Sequence, residues 1–196
     1  MTELTIDTVV CSYIPCGRRY DIEVDQVECI WVECVIHKKK YLIGTFYRPP
    51  NSDNDVWDLI AYSMEKSKDT KLENILITGD FNENLNCTQN PKIIDIISDL
   101  GMTQIIRDPT HFTENSHTLL DLIIVNNVEN IDFSGVCDNI LPNNIRYHCT
   151  IYCALKLPKS CTNTFTRRVW LFSNNKFDDY KTILRNQNCI SHQVLT

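Results

Sequence analysis

The sequence predicts a layered domain of the α/β or α+β class, and three observations carry that reading. Short runs rich in β-branched and aromatic residues alternate with two stretches whose apolar residues recur at helical spacing. One run, residues 75–78 (ILIT), is apolar enough to be a strand buried within a sheet. The composition, 43% hydrophobic and 22% charged over 196 residues, suits one domain of ordinary size or a domain with a tail.

The elements follow in order. Glu28–Ile36 (ECIWVECVI) and residues 41–47 (YLIGTFY) read as a β-hairpin whose tip is the basic cluster His37-Lys38-Lys39-Lys40. Pro49-Pro50-Asn51-Ser52-Asp53 breaks the second strand and offers helix caps. Trp57, Ile60, Ala61 and Met64 then mark the apolar face of a first helix. The strand at 75–78 runs into Gly79-Asp80-Phe81-Asn82. A second helix starts at Asn90-Pro91, carries Ile93, Ile94, Ile96, Ile97 and Leu100, and stops at Gly101. Residues 119–125 and 150–157 supply two further strands. After Pro158 the chain turns polar through 159–166, and 177–184 can form a short terminal helix outside the core.

The charge balance, 19 Lys+Arg against 25 Asp+Glu, gives −6 and excludes a protein held on nucleic acid by charge alone. It does not exclude an enzyme that touches DNA at one local site. Five glycines and no GxGxxG or GxxxxGK[ST] leave no phosphate cradle of those kinds. The N-terminal residues lack the basic and apolar blocks of a secretory signal, and no apolar run reaches the ~20 residues of a spanning helix. Ten cysteines without a C-x-x-C read as free thiols in a reduced, intracellular chain of the nucleus or cytoplasm, with no disulfide partner and no membrane.

Three features can do chemistry. Asp80 and Asn82 stand two residues apart after a buried strand, able to hold a hard cation and a phosphate oxygen or water; they are equally ordinary turn residues. Asp121, inside an apolar strand, needs a partner, and His148, just before the 150–157 strand, is the economical one. A structural Asp–His pair would look the same. Tyr47 and Arg48, at a strand end before Pro49-Pro50, can reach a phosphate by hydroxyl and guanidinium donors or can serve the edge of the sheet. With no GxSxG and no HExxH, these groups suit metal-assisted phosphate-ester hydrolysis better than acyl transfer.

The order YRPP, GDFN, Thr-x-x-Asp and a late His resembles the endonuclease/exonuclease/phosphatase superfamily, and more narrowly the endonuclease domain of non-LTR (LINE-type) retrotransposons. The likeness is carried by 28–50, 75–82 and 101–125 and extends over about residues 18–157. It implies a four-layered α/β sandwich, incomplete at the N-terminus, in residues 1–157, with 158–196 as the connector that precedes a reverse transcriptase, itself absent. It further implies phosphodiester hydrolysis with Mg²⁺ or Mn²⁺ on a DNA backbone. Asp80 and Asn82 would lie at the attacking water and scissile phosphate, His148 would stabilise the transition state, Asp121 would orient it, and Tyr47 would contact phosphate.

Two departures bear on activity. Where the resemblance expects Ser-Asp-His the chain has Arg146-Tyr147-His148, so a phenol replaces a metal-site carboxylate. The metal-binding Glu expected upstream of Glu28 has no match in Glu3 or Glu23, so no metal ligand is assigned from the sequence. The expectation is a nicking endonuclease by descent, impaired or inactive in this chain. A dead binding module is the alternative, and a phosphomonoesterase a weaker one.

Overall fold

The computed structural model describes residues 14–137 and 147–157. In chain order the elements are β1 (Cys16–Arg18), β2 (Glu28–Ile36), β3 (Lys39–Tyr47), α1 (Asp55–Asp69), β4 (Ile75–Asp80), α2 (Lys92–Asp99), β5 (Thr103–Gln104), β6 (His111–Phe112), β7 (His117–Thr118), β8 (Asp121–Val125), β9 (Ile131–Val136), β10 (Tyr147–His148) and β11 (Ile151–Leu155). The described residues belong to the first of two units into which the chain divides, Met1–Pro158 and Lys159–Thr196. The expected polar stretch at 159–166 and helix at 177–184 lie outside the described residues, as do Glu3 and Arg146.

The expected hairpin forms, with unbroken register from Glu28 opposite Tyr47 to Ile36 opposite Lys39. Its turn is shorter than the basic cluster. Only His37 and Lys38 occupy it, both at positive φ (48° and 66°), as the tight twist of a two-residue hairpin demands. Lys39 and Lys40 are strand residues, and Lys40 Nζ lies 2.7 Å from Glu33 Oε1.

The hairpin sits in a six-stranded sheet ordered β1-β2-β3-β4-β8-β5. Only the β3–β4 pairing is parallel. Parallel neighbours cannot be joined by a tight turn, and α1 makes the crossover. Trp57, Ile60, Ser63, Met64 and Ser67 form its buried face, with Ala61 only half-buried. Two serines are tolerated there because they are bonded. Ser63 Oγ accepts from Trp31 Nε1 (2.9 Å) and donates to the Ile22 carbonyl (2.9 Å), while Ser67 Oγ donates to Met64 O.

The second helix begins one residue later than the Pro signal suggests. Pro91 is the cap residue, and it has no side-chain oxygen to offer. The Glu83 carboxylate takes that task, accepting from the N–H groups of Lys92 (3.1 Å) and Ile93 (3.0 Å). Gly101, at φ 62°, ends the helix as expected.

Trp31, Gly44, Ile77 and Ile124 are register neighbours on the face toward α1, while Ile123 and Val125 point the opposite way. A two-stranded sheet, β11-β9, covers β8 on that second face, and Ile131, Val136, Ile151 and Cys153 pack onto the core from it. Leu122 to Val125 are therefore all buried, which explains a strand without alternation. A three-stranded ribbon, β10-β6-β7, stands beside them. Among the described residues, helices, a large mixed sheet and a small sheet thus make three layers of the α/β sandwich, where four were expected.

Candidate active site

Register builds the site. Tyr47 pairs with Asp80 across the parallel β3–β4 ladder, and Asp80 pairs with Asp121 across the antiparallel β4–β8 ladder. The three side chains therefore rise side by side from one face at one end of the sheet. Glu28 extends the row beyond Tyr47. It stands two strands from Asp80, about 9–10 Å at the usual strand spacing, and is not one of the groups whose ligand atoms cluster with the Asp80 carboxylate.

Behind the row, the backbone is held by residues that need small size or a tight turn. Gly79 has φ 155°, and a Cβ there would sit 1.9 Å from the Phe46 carbonyl oxygen. The next side chain but one, Phe81, is wholly buried and stacks on Phe46 at 6.1 Å. Asp80 and Phe81 thus point to opposite sides, one into the site and one into the core. Asn82, in the left-handed region at φ 48°, turns the chain back; its N–H donates to Asp80 Oδ1 (3.0 Å) and its Nδ2 to the Arg48 carbonyl (2.9 Å).

His148 arrives on β10, which pairs with β6 so that His148 faces His111. Its Nδ1 lies 3.0 Å from Asp121 Oδ2, and its ring packs at 4.5 Å on the His111 ring. Nδ1–H toward the carboxylate leaves Nε2 as the ring's outward atom. Carboxylate oxygens of Asp80 and Asp121 and a ring nitrogen of His148 all lie within 4.8 Å of one another. Burial, and then the Asp121 charge, push the Asp80 carboxyl above its ordinary range, against a smaller opposing effect of the Asn82 N–H. Two crowded carboxylates and an imidazole form a donor set that fits a hard divalent cation.

Four sequence-level candidates, Asp80, Asn82, Asp121 and His148, converge, and Tyr47 borders them. Arg48 does not join them. It is 8% exposed, with its guanidinium 4.5 Å from the Trp57 ring, Nη1 donating to Phe81 O (3.4 Å) and Nη2 to Ser52 O (3.2 Å). Tyr147, in the place of the expected carboxylate, stacks on Phe112 (5.3 Å) on the other side of β10 from His148. Glu23 is taken up by Arg18 and the Trp31 N–H.

Thr110 is the residue that sequence reading passed over. It is fully buried, and its Oγ1 accepts from both Leu120 N (3.1 Å) and Asp121 N (3.0 Å), fixing the start of β8 where Asp121 projects. The Asp-Pro-Thr at 108–110 hinted only at a turn.

No family model and no curated protein matches this sequence. Solved structures do. The endonuclease domain of TRAS1, a telomere-specific non-LTR retrotransposon, superposes with a TM-score of 0.58 at 10% identity over 71% of this chain. The chain shares the α/β fold of that endonuclease domain. It spans 65% of the TRAS1 domain. An endonuclease/exonuclease/phosphatase family protein from Leptotrichia buccalis matches at a TM-score of 0.49 and 12% identity, over 66% of this chain and 54% of that one. TDP2 from D. rerio, complexed with a single-stranded DNA product, matches at 0.43 and 11% identity, over 71% and 66%. Among the described residues, no helix is long and apolar enough to cross a membrane.

Proposed function

We propose that the chain carries the phosphodiesterase centre of a retrotransposon-type endonuclease that nicks DNA with Mg²⁺ or Mn²⁺. The observation that supports this best is the convergence of Asp80, Asp121 and His148 at one sheet end, with Asp121 and His148 already joined at 3.0 Å.

Asp80 and Asp121 are the residues that would hold the cation, which supplies positive charge to the phosphate oxygens when bound. Asp121 fixes the His148 ring, so that Nε2 can hold or give a proton at a phosphoryl oxygen whose charge grows in the transition state. Asn82 spends its Nδ2 on the Arg48 carbonyl, which leaves Oδ1 to orient an attacking water. The Tyr47 hydroxyl, beside Asp80, donates to a non-bridging phosphate oxygen. Arg48 holds the 80–82 turn against α1 and is a positioning residue. The cation has few protein carboxylates, so we expect slow turnover that favours Mn²⁺ over the more strongly hydrated Mg²⁺.

A supercoiled-plasmid nicking assay with Mg²⁺ or Mn²⁺ tests this. Metal-dependent nicking that is lost in Asp80→Ala and His148→Ala supports the proposal. Nicking that persists in both overturns it, as does its absence from protein shown to be folded; the latter leaves an inactive domain of the same fold.

A further inference from the structure

The edge of the large sheet carries a second chemical feature, remote from the sheet row just described and independent of the proposed function. β1 and β2 are antiparallel with Cys16 directly opposite Cys34. The ladder's hydrogen bonds fix the type of that pairing. Val35 N donates to Pro15 O (3.0 Å) and Arg19 N to Trp31 O (2.8 Å), so the 15/35 and 19/31 positions are hydrogen-bonded pairs. Bonded and non-bonded pairs alternate along an antiparallel ladder, which makes 16/34 a non-hydrogen-bonded pair. Such pairs bring Cα atoms to about 4.5 Å with both side chains on one face, inside the roughly 4.4–6.8 Å that a disulfide spans.

Both thiols are free, and they differ in access: Cys16 is exposed and Cys34 is buried. Cys16 lines an open cleft with Pro15, Gly17, Arg18, Arg19, Glu33 and Val35, wide enough to admit a small disulfide; its arginines are held by Glu23, Asp21 and Glu33, so access to Cys16 and not charge is what the cleft offers. Burial raises the Cys34 thiol, and the neighbouring Cys16 raises it further, which keeps Cys34 protonated and leaves Cys16 to react first.

We propose that Cys16 and Cys34 form an oxidisable dithiol site that a small disulfide such as oxidised glutathione converts to a cross-strand disulfide. The Cys16 thiolate attacks one glutathione sulfur, forming a Cys16–glutathione mixed disulfide and expelling one glutathione thiolate. Cys34 then yields its proton to solvent and attacks Cys16 Sγ, forming the Cys16–Cys34 bond and expelling the second glutathione thiolate. The two protein thiols supply two electrons, and one glutathione disulfide becomes two glutathione thiols. The product ties β1, three residues long and at the sheet edge, to β2.

The test treats the reduced full chain with oxidised glutathione, blocks remaining thiols, and maps peptides by mass spectrometry. The expected result is a Cys16–Cys34 linked peptide as the first cross-link, with little glutathione retained on Cys16. Cys34→Ser should trap glutathione on Cys16, and Cys16→Ser, at an exposed position that does not threaten folding, should leave Cys34 unmodified. Wild-type protein that keeps glutathione on Cys16 beside a reduced Cys34 overturns the proposal. So does a different cysteine pair linking first.

Discussion

Asp80 and Asp121 stand opposite each other on β4 and β8, and the nearer burial and charge raise the Asp80 carboxyl. The sign follows directly. A carboxyl raised in the folded state is best tolerated below its unfolded pKa, about 3.9, and its ionisation costs stability as pH climbs through the folded value. Asn at this position keeps an oxygen for the Asn82 N–H but cannot ionise. Asp80→Asn is therefore expected to melt higher than wild type at neutral pH without metal, with the gap closing toward acid. The direction of the change follows from the raised carboxyl, and each degree gained reads as a fraction of a kcal/mol at this chain length. Mn²⁺ should raise the wild-type melting temperature and leave the variant unmoved. Thermal scans at two pH values, with chelator and with Mn²⁺, check both halves.

Thr110→Val removes the one oxygen that accepts from Leu120 and Asp121 N–H in a fully buried place. Each orphaned donor costs about 1–3 kcal/mol. Denaturant midpoints should fall accordingly, and Thr110→Ser should recover most of the loss. Equal stability of Val and Ser variants would show that the hydroxyl is not what holds β8.

Gly79→Ala places a methyl carbon where the Phe46 carbonyl oxygen already is. Neither partner is a flexible side-chain end, so two adjacent strands must separate. We expect a loss of more than about 3 kcal/mol and little soluble folded protein, read by far-UV circular dichroism and a denaturant titration.

Arg48→Met keeps a long stem against Trp57 but leaves the Phe81 and Ser52 carbonyls without their donors. A loss of about 1–3 kcal/mol in unfolding free energy is expected. Because Arg48 holds the 80–82 turn without reaching the cation itself, the variant should still bind Mn²⁺ in a calorimetric titration, but more weakly than wild type.

The long elements were legible because their signals are local. The hairpin, both helices and the strands around Ile77 and Ile124 each contain their own period or breaker. The short strands β1, β5, β6, β7 and β10 hold two or three residues each, too few for any period, and exist because a neighbour supplies the ladder. β9 was hidden for another reason: Asp132, Ser134 and Gly135 dilute its apolar pattern. At the site, the pairing of Asp121 with His148 could be inferred from the cost of a carboxylate in an apolar strand. The inward turn of Arg48 could not, because an arginine before two prolines looks the same whether Trp57 lies beneath it or not.

The β2–β3 hairpin closes through a two-residue turn, whereas every ladder that brings Tyr47, Asp80 and Asp121 together joins segments far apart in the chain. Contacts between near neighbours form fast, and those that must close long loops form late. The hairpin that carries Glu28 and Tyr47 is therefore expected to form before the ladders that add Asp80 and Asp121. The two carboxylates meet only when β8 pairs with β4, so their mutual repulsion weighs on that pairing and not on the hairpin.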